Sequence, residues 1–176
     1  MDTTIPSHNL RTTLRPLWLS LVIIVIDQIT KAVIVASIPL HTIGMSFFNG
    51  FLRIIHTRNL AIAFSLGSSF SEQTRTVLFI VLPVILLVVL VAYFIKTNEF
   101  TTLQRWAVSG IIGGGFGNMI DRIFRPAGVV DFIDVRFYCI FGLERWPTFN
   151  VADSSVVIAG IVLAASFVFE KGDTHE

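Results

Sequence analysis

Long apolar runs separated by polar connections set the pattern of the chain. The runs lie at about 16–38, 76–95, 106–124 and 152–169, and the longer connections at about 39–75 and 125–151. At about 1.5 Å of rise per residue, a helix over any of these runs crosses or nearly crosses an apolar layer roughly 30 Å thick. Backbone groups in lipid must be bonded within their own segment, so the runs are expected to be helices. The pattern predicts an all-α membrane protein with four transmembrane helices and a small extramembrane β substructure, forming a single integral membrane domain over residues 1–176. The β part is expected in "MSFFNGFLRIIHTRNLAIAFSLG", where Asn49-Gly50 is a hairpin turn signal between short runs of Phe, Leu and Ile. Pro83, inside "VLFIVLPVILLVVL", removes a backbone donor and is expected to kink the second helix, as a tolerated membrane proline without a functional role. Arg11 and Arg15 precede the first run as they would in a signal peptide. Asp27 and Lys31 in its interior, and the lack of a small-x-small cleavage site after it, favour a retained span.

Composition agrees with a bilayer as the solvent. With 53% hydrophobic and 14% charged residues in 176, and a mean hydropathy of +0.76, the chain has more apolar surface than a domain of this size buries in water. Net charge is +1 and the 13 Lys and Arg form no basic cluster, so no nucleic-acid partner is expected. Cys139 is the one cysteine, and His8, His41, His56 and His175 stand far apart, so neither a disulfide nor a metal site is expected. An even number of spans puts both termini on one side and both long connections on the other. Flanking Lys and Arg do not choose the orientation: Arg11, Arg15, Lys96, Arg105 and Lys171 lie on one side, Arg53, Arg58, Arg75, Arg125, Arg136 and Arg145 on the other.

Several polar residues sit where lipid makes them costly. Asp27 and Lys31, at i and i+4 in "IDQITK", can pair on one helical face and lock that helix against its neighbours. Gly113 and Gly117 form a small-xxx-small surface for close helix packing. Asn118, Asp121 and Arg122 follow on one face at the end of the third span, either as interfacial anchors or as part of a site. In "GVVDFIDVRF", Asp131 is flanked by apolar residues, as in a buried site or an alternating surface strand; Asp134 is the plainer surface residue. Asp153 and Asn150, in "FNVADSS", could cap the fourth helix and oppose its dipole. Span parity nevertheless places Asn59, Asn118, Arg122, Asp131 and Asp153 on one side of the membrane.

That convergence suits an aspartyl hydrolase. Two carboxylates sharing a site cannot both ionise cheaply, so one keeps a proton while the other stays charged. The charged acid can draw a proton from water, and the neutral one can donate to a leaving amide nitrogen. A serine mechanism lacks a Gly-x-Ser-x-Gly elbow, a histidine spaced near a serine, and an evident Ser/Lys pair. Two other classes stay open on these residues alone: an ion-coupled carrier using Asp27, Asp121 and Asp131, and a scaffold indifferent to neutralising the acids.

"DQITK", "NLAIAF", "GNMIDR", "VVDF" and "FNVADS" occur in the order and approximate spacing of the lipoprotein signal peptidases, the bacterial signal peptidase II family. The chain resembles that family from about residue 17 to 167. The resemblance implies an intramembrane aspartyl endopeptidase that cuts the signal peptide from diacylglyceryl-modified prolipoproteins, just before the lipidated cysteine, without a cofactor. It implies a monomer in contact with membrane lipid in the bacterial inner membrane, multi-pass, with both termini cytoplasmic and the active site toward the periplasmic face. The family's catalytic pair falls on Asp131 and Asp153. Asn59, Asn118, Arg122 and Asn150 match its supporting and substrate-binding polar residues, and Asp27, Lys31 and Asp121 take structural places. Two departures are that Asn59-Leu60-Ala61 stands where the family usually has Asn-x-Gly, and that the segment from Arg122 to Asp131 is about one residue longer.

Overall fold

Helices form over all four apolar runs: three are rich in Leu, Val and Ile and satisfy their backbone in lipid by winding on themselves, and the third run does so against its neighbours. The computed structural model describes residues 10–59 and 70–170. A short helix α1 (Leu10–Leu14) leads into α2 (Leu17–Ser37). Helix α3 (Glu72–Thr76) runs through a π-helical turn at Val77–Val81 into α4 (Leu82–Lys96), and α5 (Thr102–Phe124) and α6 (Val151–Glu170) follow. Four strands, β1 (Ile43–Phe47), β2 (Leu52–Asn59), β3 (Val129–Ile140) and β4 (Leu143–Arg145), form an antiparallel sheet in the order β1-β2-β3-β4. The rest of the first connection, including Ala61, lies outside the described residues.

Local chemistry sets the boundaries. The Ser71 hydroxyl accepts from Thr74 N–H and starts α3 before the apolar run begins. Thr101 and Gln104 form a capping box that opens α5. At Pro83 the irregularity is a wide turn just upstream, where Leu82 N–H reaches back to Val77 carbonyl. The proline ring crowds the carbonyl one turn earlier, and the π-helical turn accommodates it. The hairpin expected at Asn49-Gly50 joins β1 to β2, with positive φ at Phe48, Asn49 and Gly50.

Three helical stretches, Thr12–Ser37, Glu72–Lys96 and Val151–Phe169, are long and apolar enough to cross a membrane. The fourth expected span, α5, falls short by composition, since Gln104, Arg105, Asn118, Asp121, Arg122 and its glycines dilute its apolar residues. Its surroundings explain the difference. Trp18, Ile29, Leu86, Val89, Ile158 and Ile161 leave the other helices exposed, whereas α5 packs against α2, α4 and α6 and buries residues along most of its length. Apolar content faces outward here, and the polar helix is inside.

Close approach to α5 depends on glycine. A Cβ on Gly113 would sit 2.8 Å from the Ser20 Cα of α2, and one on Gly114 would collide with the Ala152 carbonyl of α6. A Cβ on Gly160 would meet nothing within 4 Å. Gly114→Ala is therefore expected to destabilise the fold by about 1–3 kcal/mol, and Gly160→Ala to leave it unchanged or slightly more stable. Melting of the two variants in detergent checks the contrast.

The sheet sits against the end of α2, where Val130 and Phe132 pack with Ile34 and Ile38. In β2 and β3, Thr57 pairs with Asp131 and Asn59 with Val129. Phe149 exchanges backbone hydrogen bonds with Ile133, so the chain entering α6 is stitched to β3. That stitch brings the beginning of α6 to Asp131.

Candidate active site

Asp131 and Asp153 meet through a set of amides. Asn150 Nδ2 donates to Asp131 Oδ1 at 2.7 Å and to Asn118 Oδ1 at 3.0 Å. Asn118 Nδ2 in turn donates to Asp153 Oδ1 at 2.7 Å. Asn59 Nδ2, from β2, donates to Asp131 Oδ2 at 3.1 Å. Asn150 and Asp153 also cap one another: Asp153 N–H donates to Asn150 Oδ1 at 2.9 Å, and Asn150 N–H donates to Asp153 Oδ2 at 3.2 Å. All four carboxylate oxygens thus accept a hydrogen bond from an amide, and each retains a lone pair for water or substrate.

Asp131 and Asn150 are buried, and Asp153 is partly covered. Burial pushes the Asp131 carboxyl up to about 7, and the neighbouring Asp153 charge adds to the rise. The hydrogen bonds from Asn59 and Asn150 and the charge of Lys31 oppose it. The Arg122 guanidinium lies within electrostatic range of Asp153 and Asp131. Among the described residues, no group of three or more His, Cys, Asp or Glu is arranged to hold a metal ion.

An apolar groove of about 450 Å³ runs between α4, α5 and α6 to this site. Pro83, Leu86, Leu87, Leu90, Ile111 and Val156 line its length, and Asn118, Arg122 and Asp153 supply its polar end. The arrangement can take an apolar segment and present a backbone amide to two carboxyl groups.

The profile of the Signal peptidase (SPase) II family matches residues 19–169. The chain belongs to the signal peptidase II family. It is 44% identical over 156 residues to a lipoprotein signal peptidase of Treponema pallidum, covering 89% of this chain and 84% of that one. It is 48% identical over 142 residues to one of Borrelia hermsii, covering 81% and 82%. A bacterial membrane enzyme solved at 2.3 Å superposes with a TM-score of 0.76 at 29% identity over 92% of both chains.

In this signal peptidase II chain, the residues expected around the acids do come together: Asn59, Asn118 and Asn150 bond the two carboxyl groups, and Arg122 stands at the groove. Asp27, Lys31 and Asp121 form a fully buried layer behind them, joined to them by the Lys31 Nζ–Asn118 Oδ1 hydrogen bond. One expectation needs correction. Asp134 is not a surface residue: it is buried, with Arg145 Nε 2.6 Å from its Oδ1 across the β3–β4 hairpin. Asp121, of the two readings open for it, is the inward-pointing one, 3.1 Å from Lys31 Nζ. Gln28, also within "DQITK", is a further polar residue of this layer that the motif alone does not mark as one. Its side-chain amide nitrogen, Nε2, donates to Gly117 carbonyl at 3.0 Å and to Asp121 Oδ1 at 3.2 Å, tying α2 to α5. Its place next to Asp27 was the available signal.

Proposed function

We propose that the chain is an intramembrane aspartyl endopeptidase that removes the signal peptide from diacylglyceryl-modified prolipoproteins, cutting before the lipidated cysteine. The observation that carries this reading is the joining of Asp131 and Asp153 through Asn150 and Asn118 at the polar end of an apolar groove. Family membership supports the peptidase class, and the relatives named lipoprotein signal peptidases support the substrate. In this reading α5 is a fourth span, and the enzyme is a monomeric, multi-pass protein of the bacterial inner membrane. Its termini are cytoplasmic, and its acids face the periplasm.

Asp153 is the charged acid and Asp131 the protonated one, consistent with the raised Asp131 value beside a charged Asp153. Asp153 takes a proton from water as its oxygen bonds to the scissile carbonyl carbon. Asp131 gives its proton to the departing nitrogen as the C–N bond breaks. The pair still holds one proton afterwards, now on Asp153. Asn59, Asn118 and Asn150 fix the carboxyl planes, and Arg122 faces substrate backbone or lipid at the groove.

The assay is gel-shift cleavage of a diacylated precursor beside its unmodified form. The reading expects release of the signal peptide from the first alone; equal cleavage of both overturns the substrate assignment. Turnover is also expected to fall as pH rises through about 7, because the raised Asp131 proton is then lost and no general acid remains. A pH–kcat profile in mixed micelles reads that limb, and a rate that stays level to pH 9 contradicts it.

A further inference from the structure

Behind the two acids lies an ion cluster that the proposed chemistry does not use. Asp27, Lys31 and Asp121 are all fully buried. Lys31 Nζ is 2.8 Å from Asp27 Oδ2 and 3.1 Å from Asp121 Oδ2. Arg125 Nη1 lies 3.0 Å from Asp121 Oδ1, which brings the cluster to formal neutrality. Holding helices together does not require such a cluster, since apolar side chains of similar volume commonly pack as well or better than a buried ion pair.

The second bonds of the two carboxylates are more specific. Asp121 Oδ2 accepts from Val130 N–H at 3.1 Å, and Val130 immediately precedes Asp131. Asp27 Oδ1 accepts from Ala152 N–H at 3.0 Å, and Ala152 immediately precedes Asp153. Each carboxylate therefore holds the peptide one residue before one of the acids, and Lys31 ties both carboxylates to a single point. Lys31 Nζ also donates to Asn118 Oδ1 at 3.0 Å, and Asn118 holds Asp153 by its other end. The strand carrying one acid and the helix carrying the other are thus referenced to the same ammonium group.

We propose that Asp27, Lys31 and Asp121 are positioning residues that set the separation of Asp131 and Asp153 by clamping the backbone just before each. The proposal rests on the two-acid reading above. It differs from helix locking in its consequence: loosening the clamp lowers turnover of bound substrate more than it lowers substrate binding, because geometry at the reacting atoms is what is lost. It also places a net-neutral charge group behind Asp131, whose other charged and polar neighbours are Asn59 on β2, Arg122 on α5, Asn150, and Asp153 on α6.

The test uses the full chain in detergent micelles with a diacylated precursor, comparing Asp27→Asn, Asp121→Asn, Lys31→Met and the double variant Asp27→Asn/Lys31→Met. Each single variant is expected to lose about tenfold or more in kcat, with KM held within about twofold. The alkaline limb of the kcat profile is expected to move down by about half a pH unit where an anion is removed, and up by a similar amount in Lys31→Met. The double variant, with no net change of charge, should return the limb to the parent position while kcat stays low. Limb positions are read on whatever active fraction is present, so partial loss of folded enzyme does not obscure them. Rates that follow only the recovered folded fraction, with every limb unmoved, overturn the proposal and leave the cluster as a folding element; so does recovery of all four variants unfolded. Asp131→Asn run alongside separates the two questions, since parent-rate cleavage by that variant defeats the two-acid reading itself.

Discussion

Asp153→Asn and Asp131→Asn are each expected to cleave a diacylated precursor about 10³-fold or more slowly than the parent, while inserting and melting like it. The size follows from the roles: loss of a positioned general acid or base costs roughly 10²–10⁴, and residues acting as one unit give up most of their effect when either is removed. Retained folding follows from the hydrogen bonds. An Asn at 153 keeps an oxygen to accept from Asn118 or from the Asn150 N–H, and an Asn at 131 keeps one for Asn59 or Asn150. What the amide cannot do is carry the charge or deliver the proton. Initial rates by gel shift, with melting in the same detergent, check the pair. Parent-rate turnover by either variant removes that acid from the chemistry.

Asn150→Ala is the second large effect, expected at about 10²-fold in kcat together with a loss of stability. Asn150 is fully buried and touches both acids: its side-chain amide donates to Asp131 and its oxygen accepts from the Asp153 backbone. Alanine removes both contacts and also strips Asn118 of one donor. A hydrogen bond between uncharged groups contributes about 0.5–1.5 kcal/mol, and a buried partner left unpaired costs about 1–3 kcal/mol, so melting should fall along with turnover. Asn150→Asp is the informative companion. It keeps an acceptor for Asp153 N–H but, when ionised, replaces a donor to Asp131 with a third carboxylate, which should push the alkaline limb upward. Unchanged turnover in Asn150→Ala contradicts the role given to this amide.

The helices were legible because a membrane imposes one solution on a long apolar run, and "VVDF" and "FNVADS" were legible because each sets an acid against apolar residues where lipid or a buried site makes it costly. Asn49-Gly50 announced its hairpin through backbone conformations that few other pairs adopt cheaply. Position within the bundle was harder to read. The interior helix α5 is the least apolar of the long helices, since its glycines and amides serve close packing and a polar site, so hydropathy ranks it lowest where burial ranks it highest. Strand β3 was obscured for a related reason: its first four residues are buried on both faces, so no alternation marks Asp131 as a strand residue. Asp134 looked like a surface acid because its partner, Arg145, is fixed by hairpin register and not by local spacing. Gln28 sits beside Asp27 and so falls off its helical face, yet its longer side chain reaches α5.

The central claim is that Asp131 and Asp153 hold one proton between them at neutral pH. Infrared difference spectra of the carboxyl stretch, recorded across a pH titration of the parent, Asp131→Asn and Asp153→Asn, test it most directly. One carboxyl band that persists to about pH 7 in the parent and disappears in Asp131→Asn is the predicted result. Two acids that both lose their protons in the ordinary carboxylate range near pH 4, each unaffected by replacing the other, would contradict it.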